Sequence, residues 1–124
     1  MRERLYIGLA GALGASTRLL VGHLLIVSGS FPVATFLVNM IGTWILCYIV
    51  ERARLLGSLS SLAVTVITTG FLGAFTTFSA VSIETVELLS DGLFVLAVVY
   101  VGSSLVGGLA MAAFGFSLAR RLSA

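Results

Sequence analysis

Asn39, Arg18, Glu84, Tyr100 and Ser104 are polar or charged residues set inside apolar runs, and in the run that holds Glu84, Thr76, Thr77, Phe78 and Ser79 follow two glycines, Gly70 and Gly73. Together they offer an amide that both donates and accepts, hydroxyls, a phenol, a carboxylate and a guanidinium. In an apolar setting such groups can stand in for the water around an ion. They do not suggest catalysis, because His23 and Cys47 have no plausible partners and the chain offers neither a nucleophile–base pair nor a metal cluster.

The stretch from Thr69 to Val81 is the most informative. Glycine weakens a helix locally, and threonine or serine can bond a nearby carbonyl in place of the ladder. Both point to an interrupted helix near Gly73 to Thr76. Irregular backbone at membrane depth is tolerated only against protein or a water-filled cavity, so an interruption implies a site. Against this stands the simpler reading that the glycines are packing notches and the threonines bond back to their own helix.

Each polar candidate has two readings. Asn39, with Gly42 three positions on, can glue helices together or present an amide donor to an anion. Arg18 can tie helix or loop ends near the interface or influence anion entry, since a lone membrane arginine must pair, snorkel or face water. Tyr100, Ser103, Ser104, Gly107 and Gly108 form a stripe at three-and-four spacing, either a hydroxyl track for an ion or a contact surface for a neighbouring helix. Glu84 and Glu87 share a helix face; Glu87 belongs at the membrane edge with Asp91, and Glu84 either there or at a cavity. His23 reads as interfacial, Cys47 as a small packing residue, and Trp44 and Tyr48 as packing or interface residues.

These residues need elements that cross a membrane. With 124 residues, 59% hydrophobic content, 10% charged content and a mean hydropathy of +1.17, the chain is a membrane protein too short for two domains, and residues 1–124 form a single unit. Four apolar segments follow: Leu5 to Val27, Val33 to Val50, Leu62 to Leu89 and Leu93 to Leu118. The third exceeds the roughly 20 residues of a straight span, which an interruption would resolve. A Ser-Gly turn and Pro32 precede the second segment, and Glu51 to Arg54 form a charged stop after it. Ser58, Ser60 or Ser61 can cap the third, and Asp91-Gly92 is a turn. Gly8, Gly11, Gly14 and Gly22 offer a face for close helix approach in the first segment, which reads as a spanning helix and not a removable signal.

Arg2, Arg4, Arg52, Arg54, Arg120 and Arg121 fall on the side shared by the termini and the middle loop, and the chain has no lysine. The positive-inside rule puts both termini in the cytoplasm of a multi-pass protein of the cell (inner) membrane. Scattered at segment ends, the arginines form no stripe for nucleic acid. Four short spans leave little room for a pore in one chain, so an oligomer is expected.

The chain resembles the CrcB or Fluc fluoride channels. Gly11 to Ala15 with Arg18 resembles the family's first-helix motif, Asn39 with Gly42 its second, and Gly70 to Ser79 with Glu84 its broken third helix. The resemblance implies an all-α membrane protein of four transmembrane helices, the third broken, assembled as an antiparallel dual-topology dimer. It implies passive fluoride export through two antiparallel pores, and a central structural Na+ held by the main-chain carbonyls of Gly73 and Thr76. It places Asn39, Phe78, Ser79, Glu84, Tyr100 and Ser104 on the fluoride path.

Two departures stand out: Val81 occupies the position of a second phenylalanine, after Ala80 where threonine is common, and Gly108 follows Ser104 where a second serine is frequent. With the one-sided arginines, they suggest half of a heteromeric pair whose oppositely oriented sibling supplies the missing ring, as against a homodimer. Rival readings are a small four-span exchanger for drugs or cations, disfavoured because the first span carries Arg18 and no membrane-embedded acid, and a non-conducting accessory subunit.

Overall fold

The computed structural model describes residues 1–25, 29–57 and 60–122. Helix α1 covers Arg2–Leu24 and α2 covers Val33–Leu56; α3, Ser61–Thr65, runs into a π-helical segment, Val66–Leu72, and a short turn of helix, α4, Gly73–Phe75. Helix α5 spans Ser79–Ser90 and α6 spans Phe94–Arg121. Among the described residues there is no strand. Arg2–Leu24, Val33–Leu56, Ser61–Ser90 and Phe94–Arg121 are each long and apolar enough to cross a membrane, so the protein is an all-helical, multi-pass membrane protein.

Several boundaries differ from the sequence reading. Helix α2 continues through Glu51–Arg54 to Leu56, because Glu51 and Arg54 are three apart on one helix face and pair with each other. It stops at Gly57, whose φ of +58° is left-handed and whose N–H reaches Ala53 O at 3.1 Å. Helix α6 likewise runs on to Arg121. Ser60 caps α3 by accepting from the Ala63 N–H at 3.2 Å, while Ser58 and the Val27 end of the first segment lie outside the described residues.

Helix α2 packs chiefly on α6, and α1 on the π segment and α4. Lipid tails are as apolar as leucine, so these contacts depend on fit more than on burial from water. Glycines provide the fit: a Cβ on Gly115 would stand 2.6 Å from Trp44 O, and one on Gly70 would stand 2.8 Å from Ile7 O. Gly14 meets the Phe71 backbone in the same way, whereas Gly8 and Gly22 face open space. Only part of the expected glycine face on α1 is therefore a packing surface.

Two apolar clusters flank the middle of the third segment. Val38, Leu72 and Phe75 form one, and Val81, Leu88, Ala97 and Tyr100 the other. Between them, at Thr76 to Phe78, the chain leaves the helix: Thr76 is extended at φ −78°, ψ 153°.

Candidate functional site

The interruption is built by diverting helix donors to side chains. In an unbroken α-helix the Thr77 N–H would bond Gly73 O and the Ala80 N–H would bond Thr76 O. Here the Thr77 N–H donates to Asn39 Oδ1 at 2.8 Å, and the Ala80 N–H donates to Thr77 Oγ1 at 3.2 Å. The Thr76 N–H and its hydroxyl both donate to Leu72 O at 2.9 Å, closing the helix below. Thr77 Oγ1 and Ser79 Oγ lie 3.0 Å apart and hydrogen-bond each other. The Gly73 and Thr76 carbonyls thus lose these ladder donors, as do those of Phe75 and of Ala74, the last of which accepts from Arg18 Nε; carbonyl oxygens are hard ligands that suit a cation such as sodium.

Beside the interruption lies an open cleft of about 580 Å³, lined by Asn39, Met40, Thr43, Gly73, Thr76, Thr77, Phe78, Val81, Val101, Ser104, Leu105 and Gly108. Asn39, Phe78 and Ser104, placed on the ion path from sequence, meet here with Gly73 and Thr76, assigned to the cation, and with Thr77, Val81 and Gly108. Phe78 is 84% exposed, more than any other described aromatic residue. Ser104 Oγ is buried and makes no hydrogen bond, while neighbouring Ser103 donates to Tyr100 O at 3.1 Å. Of the two serines, only Ser104 has a hydroxyl to spare. Val81 faces the cleft and also packs into the cluster with Leu88, Ala97 and Tyr100.

The remaining candidates lie elsewhere. Glu84 accepts from Thr35 Oγ1 at 2.6 Å and from Tyr100 OH at 2.5 Å, which joins α2, α5 and α6. Tyr100 is fully buried, its ring edge-on to Phe31 at 5.3 Å. Arg18 Nε donates to Ala74 O at 3.3 Å and lines a second cleft of about 230 Å³ with His23, Thr35, Ala80 and Glu84 among its walls. Both readings of Arg18 thus keep a structural basis, since it ties α1 to the end of α4 and faces a cleft. Ser79 lines neither of these two clefts; its hydroxyl is engaged with Thr77.

Sequence reasoning missed Thr35 and the part played by Thr77. Thr35, Asn39 and Thr43 recur every four residues on α2, a helix-period polar stripe that could have flagged Thr35. No sequence signal pairs Asn39 with Thr77. Among the described residues no group of three or more His, Cys, Asp or Glu side chains could hold a metal ion, which leaves the backbone carbonyls and the amide and hydroxyl oxygens of the cleft as the available ligands.

Among the described residues four membrane-length helical segments, and a cleft with a few polar groups beside the interruption of the third, define a multi-pass membrane protein. A family model described as CrcB-like protein, Camphor Resistance (CrcB), matches residues 5–116, and the chain belongs to that family. It is 44% identical over 118 residues to a Listeria innocua protein named fluoride-specific ion channel FluC 2, covering 95% of this chain and 91% of that one. It is 41% identical over 122 residues to FluC 1 of Bacillus cereus, covering 95% and 85%. To FluC 1 of Desulfitobacterium hafniense it is 42% identical over 113 residues, covering 88% and 96%.

Proposed function

We propose that the protein is a fluoride-selective channel that lets cytoplasmic fluoride leave the cell passively, with no catalytic step. The observation that carries this reading is the unpaired Ser104 hydroxyl in the cleft where Phe78 stands exposed beside the Asn39–Thr77 interruption. Fluoride is small and strongly hydrated, so its path must supply hydrogen-bond donors and the positive edges of aromatic rings. Relatives named as fluoride-specific channels at about 40% identity support the choice of ion.

The working assembly is a dimer of oppositely inserted chains. Phe78 and the cleft face outward from a single chain, which suits completion by a second one. Gly73 and Thr76 carbonyls from both subunits would hold a structural Na+ at the centre. Asn39, Phe78 and Ser104 belong to the ion path, with Glu84, Tyr100 and Ser79 beside it and Arg18 near an entrance. The chain sits in the cell membrane with both termini cytoplasmic, as its arginine distribution favours.

Val81 favours a pair with an oppositely oriented sibling over a homodimer, because each cleft here carries one phenylalanine. Relatives whose names bear the numerals 1 and 2 are in keeping with siblings. Liposomes loaded with fluoride and chloride test the channel reading, using the chain alone and then with its sibling. Fluoride release with chloride retained in either case supports it, and chloride release or no release in both rejects it. Insertion mapping of the chain expressed alone tests the pair: one orientation is expected, and an equal mixture would reject it.

A further inference from the structure

We infer that Asn39 is a positioning residue, which sets the shape of the helix interruption by clamping the Thr77 peptide and acts on the ion through that shape. The consequence for conduction rests on the channel reading above; the clamp itself stands on two hydrogen bonds. Asn39 Nδ2 donates to Thr77 O at 2.9 Å, and the Thr77 N–H donates to Asn39 Oδ1 at 2.8 Å. One side chain on α2 therefore satisfies both backbone groups of a residue 38 positions away.

A carboxamide is suited to this work because it carries a donor and an acceptor side by side, like a peptide group. Unmet peptide groups at membrane depth are costly, since lipid offers them no partner. The carboxylate of aspartate could accept from the Thr77 N–H but not donate to Thr77 O, and a serine hydroxyl is too short to replace the two-point contact. The Asn39 acceptor oxygen and one of its amide hydrogens are committed, which leaves a single amide hydrogen free.

Gly42 completes the arrangement from the same helix. A Cβ there would run into Thr76 Cγ2 and come within 3.1 Å of the Phe75 ring, so its absence lets α2 approach closely enough for Asn39 to reach. Pinning the Thr77 peptide fixes what lies on either side of it: the Thr76 carbonyl before and the Phe78 ring after. Asn39 thereby governs two features assigned to the path without needing to touch the ion.

The test separates the clamp from direct contact. In the full-length chain, Thr77 is replaced by its α-hydroxy acid, which turns the amide N–H into an ester oxygen and leaves the Asn39 side chain intact. Fluoride flux and fluoride-over-chloride selectivity are measured for this variant, for Asn39→Ala and for both together, at matched amounts of folded protein. Thr77 amide exchange is measured in the wild-type chain and in Asn39→Ala.

The clamp requires slow exchange in the wild type, accelerated about tenfold or more by Asn39→Ala. It also requires that the ester lower selectivity by itself, and that the double change cost less than the product of the two single effects. Unaltered exchange, an ester with wild-type flux and selectivity, or fully multiplicative effects would each overturn it. Should the wild type conduct neither alone nor with its sibling, the channel reading falls while amide exchange still decides the clamp.

Discussion

The helix interruption and the joined ends of α2 and α6 handle buried polarity in opposite ways. At the ends, Glu51 is buried and its charge is fully answered: Oε1 accepts from Arg120 Nε and Arg54 Nη2, each at 2.7 Å, and Oε2 accepts from Arg54 Nε at 2.9 Å. Arg52 adds a bond to Leu122 O at 3.0 Å. The Thr76–Phe78 interruption contains no full charge; Asn39 meets both backbone groups of Thr77, the Thr77 hydroxyl meets the Ala80 N–H, and Ser104 is left with capacity to bond. The charged cluster has the stronger interactions, and both oxygens of its buried carboxylate are engaged. Strength fastens helices together, while spare bonding capacity at neutral groups makes a place where a hydrated ion can exchange its shell.

That contrast can be broken by mutation, beginning with the largest expected effect. Phe78→Ala should reduce fluoride flux at least about tenfold, equivalent to roughly 1.4 kcal/mol on the barrier, with the protein still folded because the ring is exposed in the single chain. Ser104→Ala should lower flux about three- to tenfold, in line with one hydrogen bond, whereas Ser103→Ala should leave it nearly unchanged because that hydroxyl is spent on Tyr100 O. Equal effects at the two serines would erase the distinction between spare and committed hydroxyls. Glu51→Gln should lower the thermal midpoint in detergent and leave flux per folded protein within about twofold. A large flux defect at matched folding would give the arginine end a share in conduction.

The spans and most of the cleft were legible in the sequence for a simple reason: asparagine, serine and aromatic–hydroxyl clusters are conspicuous in apolar runs, and four such runs can be counted. Partners were not legible. Asn39 meets Thr77 across 38 residues, Thr35 meets Glu84 across 49, and Glu51 meets Arg120 across 69, so each pair depends on how separate helices dock. The charged run Glu51–Arg54 looked like a stop and is the last part of α2, because its charges neutralise one another and α6's Arg120 without leaving the helix. The π-helical segment was also hidden: it lies where Gly70 approaches Ile7 and Ala10 of α1, a packing event between segments that no local propensity announces.

Val81 shows the same limit from the other side. The resemblance alone sets a phenylalanine against this valine, and only the fold shows that the side chain is shared between the cleft and the cluster around Tyr100. The position therefore bears on packing as well as on the ion path.

The central claim is ion selectivity, and the reversal potential across a bilayer with opposed fluoride and chloride gradients, both ions present on each side, tests it most directly. The reconstituted protein, with its sibling if it needs one, should reverse near the fluoride equilibrium potential. Reversal near the chloride potential, or near that of the accompanying cation, would contradict the account.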